Sequence, residues 1–405
     1  MNRSLVRFAV VLGLLSAIGP FAIDMYLPAL PSIGADLGAD TGAVQMSLMA
    51  FFLSLGFGQL VYGPVSDMLG RKAPLYFGMV LFMVGSVGCA LAPSIGMLIA
   101  FRFVQGLGAC AGMVVPRAVV RDLHTGPEAA KLMSMLMLVF SVSPILAPLT
   151  GSAVISLAGW RAVFWVVTIA ALLGLALIFF ALPETRPAAE RRESSIRGAI
   201  SAYGMLLRDR NFLGLVFIGA FGIASFFAFL ANSSFVMIEH YGLTPIEYSL
   251  SFSINAVSFI GVSQFSGWFG QRYGLAQTMR YAVTGYAAMM AILFIVFLAG
   301  VDSLPVLMVL LFIGYGFLGL VIPSSAVLAL DAHGPIAGTA SALMGTLQFA
   351  AGAVVMAIVG LFLDGTALPM IAGIAGSAAL SLLLTHLTLG GGKVRRRRES
   401  EAPAE

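Results

Sequence analysis

The sequence predicts an all-α integral membrane protein, with twelve transmembrane helices in two six-helix pseudo-repeat bundles and both termini cytoplasmic. Three observations carry that reading: the apolar composition, the spacing of the apolar runs, and the side on which the basic residues fall. Of 405 residues, 60% are hydrophobic and only 10% charged, against about 25% charged in a soluble globular chain. Such a chain cannot cover its apolar mass with polar surface, so lipid is the solvent for most of it. The 46 glycines suit helices that pack closely in a bilayer.

A helix needs about 20 mostly apolar residues to cross the hydrocarbon core. Runs of that kind lie near 8–30, 43–65, 74–93, 96–116, 132–156 and 162–182, then near 211–237, 247–270, 276–300, 304–330, 337–363 and 367–390. The first follows a short basic start, as a signal peptide would. The eleven later spans, and the Asp24–Pro31 stretch at its far end, favour an uncleaved first helix. Between the two sets lies 183–210, polar and arginine-rich, the one internal stretch that reads as a linker or surface helix. The divisions are therefore 1–182, 183–210, 211–390 and a short basic tail, 391–405, expected to be disordered with its arginines near anionic headgroups.

With helices placed this way, 20 of the 22 Lys and Arg residues fall on one side. Arg3 and Arg7 precede span 1, Arg71 and Lys72 follow span 2, and Arg117, Arg121 and Lys131 follow span 4. The linker holds Arg186, Arg191, Arg192, Arg197, Arg208 and Arg210; Arg272 and Arg280 border the loop after span 8, and Lys393 and Arg395–Arg398 lie in the tail. Arg161 is alone on the other side and Arg102 lies within a span. The positive-inside rule makes the arginine-rich side cytoplasmic. The net charge of +4 therefore marks topology and not nucleic acid, whose binding needs a basic face interleaved with aromatics. Cys89 and Cys110 both sit in apolar runs, without metal-site spacing or a disulfide framework. His124, His240, His333 and His386 are scattered near span ends and read as interfacial.

The two sets of six carry an internal echo. Gly267, Gln271 and Gly274, after span 8, lie 204 positions beyond Gly63, Asp67 and Gly70, after span 2. A weaker echo relates Gly112 and Pro116 of span 4 to Gly319 and Pro323 of span 10.

At these residues the chain resembles the major facilitator superfamily and, more narrowly, the Bcr/CflA-like subgroup of twelve-helix drug/proton antiporters. Gly63-x3-Asp67-x2-Gly70-Arg71-Lys72 matches the family's signature between helices 2 and 3. Asp24-Met25-Tyr26-Leu27-Pro28 resembles the helix 1 motif of the drug exporters, and Arg102-x2-Gln105-Gly106-x-Gly108 the helix 4 motif. Leu182-Pro183-Glu184-Thr185 resembles the usual close of helix 6. The helix 5 antiporter motif is partly kept: its glycine face reads Ser134, Ser143, Ala147, Pro148, Gly151 and Ser152, with a second proline at Pro144. Each departure is to a small residue, which preserves close packing and a proline-related bend. In transporters built from such repeats the substrate site lies between the halves near mid-membrane.

The residues singled out have two readings each. Asp24 within an apolar run costs about 2.5–3.5 kcal/mol at mid-helix; it takes up a proton or faces a cationic substrate, unless helix 1 ends near Ile23 and leaves it in the interface. Arg102 is a fixed charge that holds a substrate carbonyl or couples to Asp24 in one state, unless its long stem lifts the guanidinium to the headgroups. The resemblance assigns Asp67, Arg71 and Lys72 to a latch in which the carboxylate meets the start of a helix in the opposite half, where the helix dipole favours an anion. Arg121 and Asp122 extend that network or form a plain loop pair. Phe221, Phe226, Phe227 and Phe229, with Asn232, line an apolar cavity or face lipid. Tyr26, Gln105, Asn255 and Tyr315 are further polar candidates.

Walker loops, nucleophile elbows and metal spacings are missing from the chain, so the sequence gives no support for an enzyme. The echo between halves and the Asp/Arg latch favour alternating access over a channel or receptor. With no ATP motif and no cofactor, the expected energy source is the proton gradient; one charge moved across 100 mV supplies about 2.3 kcal/mol. The expected function is efflux of small molecules of the multidrug or antibiotic type by a monomer whose partners are substrate, protons and membrane lipid. An exporter of a native metabolite or amino-acid derivative, or a proton-coupled importer, stands as the alternative.

Overall fold

The structure, a computed structural model, describes residues 3–124, 126–191 and 196–389. Arg192, the tail 391–405 and the side chain of Ser134 lie outside what it describes. The first half of the chain forms α1 (Arg3–Asp24), α2 (Leu30–Leu37), α3 (Thr41–Leu69), α4 (Lys72–Ala90), α5 (Ile95–Leu123), α6 (Gly126–Ala158) and α7 (Trp160–Ala181). Two short helices, α8 (Ala188–Arg191) and α9 (Ile196–Leu206), occupy the linker. The second half holds α10 (Arg210–Ser234), α11 (Pro245–Ser263), α12 (Ser266–Tyr273), α13 (Leu275–Leu298), α14 (Leu304–Asp331), α15 (Ala337–Gly360) and α16 (Leu368–Leu389). Among the described residues, eleven stretches are long and apolar enough to cross a membrane.

Two expected spans are drawn differently. The run 8–30 is not one helix: α1 ends at Asp24, a single 3-10 turn covers Leu27–Ala29, and α2 starts at Leu30. Pro28 and Pro31 explain the break, because neither can donate to the helical ladder behind it. The run 247–270 is also divided, because Ser263 and Gln264 both turn their side chains onto the Ile260 carbonyl at 2.7 and 3.3 Å. Local bonds of this kind compete with the backbone ladder, so α11 stops there and α12 continues with no buried residue. At about 28 Å for 19 residues, α11 is close to the thickness of a bilayer core, but its polar content keeps it outside the eleven.

Packing falls into two groups. In the first half α5 lies between α3 and α4, with α4 on α7 and α1 on α6; in the second α10 packs on α14, α15 and α16, and α13 on α14 and α16. The groups meet along two seams, α3 with α15 and α6 with α11. The echo of the sequence has a backbone counterpart. Gly70 ends α3 at φ +91° and Gly274 ends α12 at φ +82°, a region that side chains rarely adopt.

Candidate functional site

The site begins where α1 ends. Tyr26 N–H turns to the Ile23 carbonyl at 3.2 Å, which leaves the Ala22 carbonyl without its helical donor. Arg102, from the facing α5, supplies one through Nη1 at 3.3 Å. A cation at the negative end of a helix dipole is favourable. The same Nη1 donates to Gln105 Oε1 at 2.6 Å, and Gln105 Nε2 donates to Ser86 Oγ at 2.8 Å, which in turn donates to the Phe82 carbonyl. The guanidinium lies between the rings of Tyr26 and Phe51, 4.4 and 4.3 Å from their centroids, contacts worth up to about 2 kcal/mol when desolvated. Tyr26 is fixed in turn by its hydroxyl, 2.6 Å from Ser47 Oγ.

Arg102 is 0% exposed, so the snorkelling alternative does not hold: the side chain lies inward, among aromatic rings. Its Nε and Nη2 are buried without a partner among the described residues. Asp24 is 6% exposed, buried within the protein although α1 ends on it. Among the described residues it has no hydrogen bond or ion pair, and Arg102 does not reach it in this structure. The turn that follows it packs, through Leu27–Ala29, on α10 and α11 of the other half. Gly151, the glycine kept from the helix 5 pattern, packs on the same turn: a β-carbon there would lie 2.4 Å from the Met25 carbonyl.

Near Asp24 the halves are tied by hydrogen bonds. Gln45 Nε2 donates to Asn232 Oδ1 at 2.8 Å and to the Ala231 carbonyl at 3.2 Å. The hydroxyls of Ser152 and Ser249 meet at 2.6 Å. Ser249 also donates to the Pro148 carbonyl at 2.9 Å, and Ser152 to the Pro245 carbonyl at 2.8 Å. Ser253 adds a bond to the Ile145 carbonyl at 3.0 Å. Pro144 and Pro148 thus bracket a stretch of α6 whose carbonyls receive serine hydroxyls from α11. Deeper in, Phe52 stacks on Phe227 across the seam with centroids 4.0 Å apart, and Phe349 closes the group. Phe226 and Phe229 turn instead to Tyr315 within the second half, while Phe221 is part-buried with its ring against Phe217; Asn255 donates to Met308.

At the opposite end of the bundle the signature residues assemble around Arg71, which is 2% exposed and not a solvated loop residue. Its guanidinium holds Asp122 through two bonds of 2.7 and 2.9 Å and Asp67 through one of 2.7 Å. The expected contact of Asp67 with the opposite half is not made here: the Gly70 turn folds Arg71 back onto it, and its other charged neighbour is Arg186 at 3.6 Å. The anion at a helix start is Glu184, which accepts from the backbone N–H of Arg71 at 2.8 Å and of Lys72 at 3.2 Å. Burial pushes the Glu184 carboxyl up, but those N–H groups, that of Arg186 and the charge of Arg191 hold it below its ordinary range. Sequence reasoning places Glu184 only at the close of helix 6; an acid just beyond the span is the signal for its role. Asp122 joins the network while Arg121 points away, beside Gly338 in the first turn of α15, 3.6 Å from where a β-carbon would be. Gly63 has open space around it.

A multi-helix membrane protein with two sets of helices, a polar group buried between them and charge clusters at one end has the build of a solute transporter. The family model of the major facilitator superfamily matches residues 12–356, and the chain belongs to that family. It is similar to the MFS-type transporter YdgK of Bacillus subtilis (strain 168), 39% identical over 91% of this chain and 92% of that one. It is also similar to the bicyclomycin resistance protein homolog of Haemophilus influenzae, 31% identical over 94% and 96% of the two chains, consistent with the Bcr/CflA-like subgroup. Among solved structures, the crystal structure of a D-xylose-proton symporter overlays with a TM-score of 0.72 at 17% identity, covering 95% of this chain and 97% of that one. The protein is thus a multi-pass transporter of the bacterial inner membrane, and not an enzyme.

Proposed function

We propose that the protein is a proton-driven exporter of small molecules of the multidrug or antibiotic type, working by alternating access between two six-helix bundles with α11 as the twelfth span. In this reading 183–210 and both termini are cytoplasmic, the protein acts as a monomer without a cofactor, and the hydrogen-bonded end near Asp24 is the closed outer gate. The name of the Haemophilus influenzae relative supports drug efflux.

The observation that carries the proposal is the pair of unmet charges at the end of α1. Asp24 is buried with no counter-charge, and Arg102 is buried with two idle donors. Burial and the negative end of α1 favour a neutral carboxyl, while an approaching cation favours the carboxylate. Proton and cationic substrate therefore compete for Asp24, which an antiporter requires. Loss of the proton also lets Asp24 draw the idle donors of Arg102, and that pull loosens α1 from the seam. The test is efflux from reconstituted vesicles, with proton release on substrate binding, for wild type and Asp24→Asn. The variant should reach the membrane at the normal level, release no proton and lose gradient-driven export of cations. Normal proton release and export by the variant would place coupling elsewhere, and uptake in the direction of proton entry would favour the importer.

A further inference from the structure

We infer that the linker helix α9 is a docking surface for anionic phospholipid, with the lipid phosphate seated in a notch at Gly204. The helix is amphipathic. Ala202 and Leu206 are buried, and the helix packs on both α3 and α15, so it lies over one of the seams between the halves. Tyr203 fixes it there, its hydroxyl donating to the Leu60 carbonyl at 3.1 Å. That carbonyl is available because Pro64, four residues on, has no N–H to offer it.

The contact lies towards the Leu69 end of α3, a helix longer than the hydrocarbon core it crosses. At 29 residues, α3 is about 43 Å long, some 13 Å more than a hydrocarbon core of about 30 Å. Leu60 lies nine residues, about 13 Å, before the Leu69 end of α3. The neighbouring outer face of α3 is apolar, with Phe57 and Val61 exposed, so the surface of α9 continues a lipid-facing wall. The outward side of α9 presents Ile200 at 62% exposure, and Leu207, in the turn just beyond it, is 48% exposed. Arg197 and Arg208 share the solvent-facing side, and neither has an ion-pair partner among the described residues. Ser201, Gly204, Met205 and Arg208 bound a recess of about 440 Å³. A β-carbon on Gly204 would meet nothing within 4 Å, so the missing side chain opens the recess between a hydroxyl and a guanidinium. Apolar side chains beside arginines and a hydroxyl match the acyl boundary and the phosphate of an anionic lipid; a zwitterionic lipid offers the apolar match without the net charge.

The full chain carrying Ile200→Cys is labelled with an environment-sensitive fluorophore, since Cys89 and Cys110 are buried, and reconstituted in phosphatidylcholine with a minor fraction of phosphatidylglycerol. Bromine is placed on the acyl chains of one lipid or the other, and iodide is used as the aqueous quencher. Brominated phosphatidylglycerol should quench more than brominated phosphatidylcholine at equal mole fraction, with an enrichment of about fivefold per arginine at low salt that falls as salt rises. Arg197→Gln with Arg208→Gln should remove the preference while leaving lipid quenching, and Gly204→Leu, which fills the recess without changing charge, should weaken it. Equal quenching by the two lipids overturns the inference, as does ready quenching by iodide. Energy transfer between labelled copies that grows with protein density would assign the face to a second copy and also overturn it.

Discussion

A guanidinium buried between two aromatic rings, with one nitrogen doubly used and two atoms idle, is a demanding arrangement for a single residue. The planar group stacks on Tyr26 and Phe51 while Nη1 reaches both Ala22 and Gln105. Lysine offers a point charge with neither the plane nor the fork. Arg102→Lys should therefore keep the protein in the membrane yet cut transport about tenfold or more, since a lost charge-assisted bond is worth about 1.5–3 kcal/mol. Initial rates in vesicles at matched protein level check this, and an unchanged rate would show that charge alone is what the site uses. Ser86→Ala removes the far end of the same relay and should have a smaller effect, because it frees only Gln105 Nε2.

Elements move on contacts that are few and specific. Ser249 joins α11 to α6 through Ser152 and the Pro148 carbonyl. The Ser249 hydroxyl has one proton to give, and with a neutral bond worth about 1 kcal/mol, Ser249→Ala should shift the balance between closed and open outer gate roughly fivefold towards open. Distance distributions between spin labels on α6 and α11, measured without substrate, read this directly; no change would mean that apolar packing holds the seam. At the other end Glu184 caps α4. Its carboxyl is held below the ordinary range, so its contribution is complete above the usual carboxylate pKa of about 4.3 and is lost as pH falls through the lower folded value. Glu184→Gln should therefore melt earlier than wild type at neutral pH, by about 1 kcal/mol. The gap should close only below the ordinary carboxylate range. A gap that closes near neutral pH would contradict this role. Arg121 at the start of α15 is a different kind of contact: a cation there opposes the helix dipole, which leaves that meeting of the halves easy to break.

For the whole molecule the expectation is a definite sidedness. Glu239 and Ser201 are both exposed and lie at opposite ends of the bundle. In intact cells an impermeant thiol reagent should label Glu239→Cys and leave Ser201→Cys untouched until the membrane is opened. Labelling of Ser201→Cys from outside would invert the map and with it the direction of the proposed export.

Composition and the apolar runs determined the fold class, because lipid imposes a simple rule on every span: enough apolar residues and an internally satisfied backbone; the family was carried by the motifs. The motifs also located Asp24, Arg102, Gln105 and the Arg71 cluster, since charges within or beside apolar runs are conspicuous. Only the tertiary structure decided how those charges are met. The break after Asp24, the division of α11 from α12, the turn of Arg71 onto Asp67 and Asp122, and the passage of the helix-capping role to Glu184 depend on which donors and acceptors lie opposite one another. Such pairings join residues as far apart as Ser152 and Ser249 or Tyr203 and Leu60, and spacing along the chain carries no record of them.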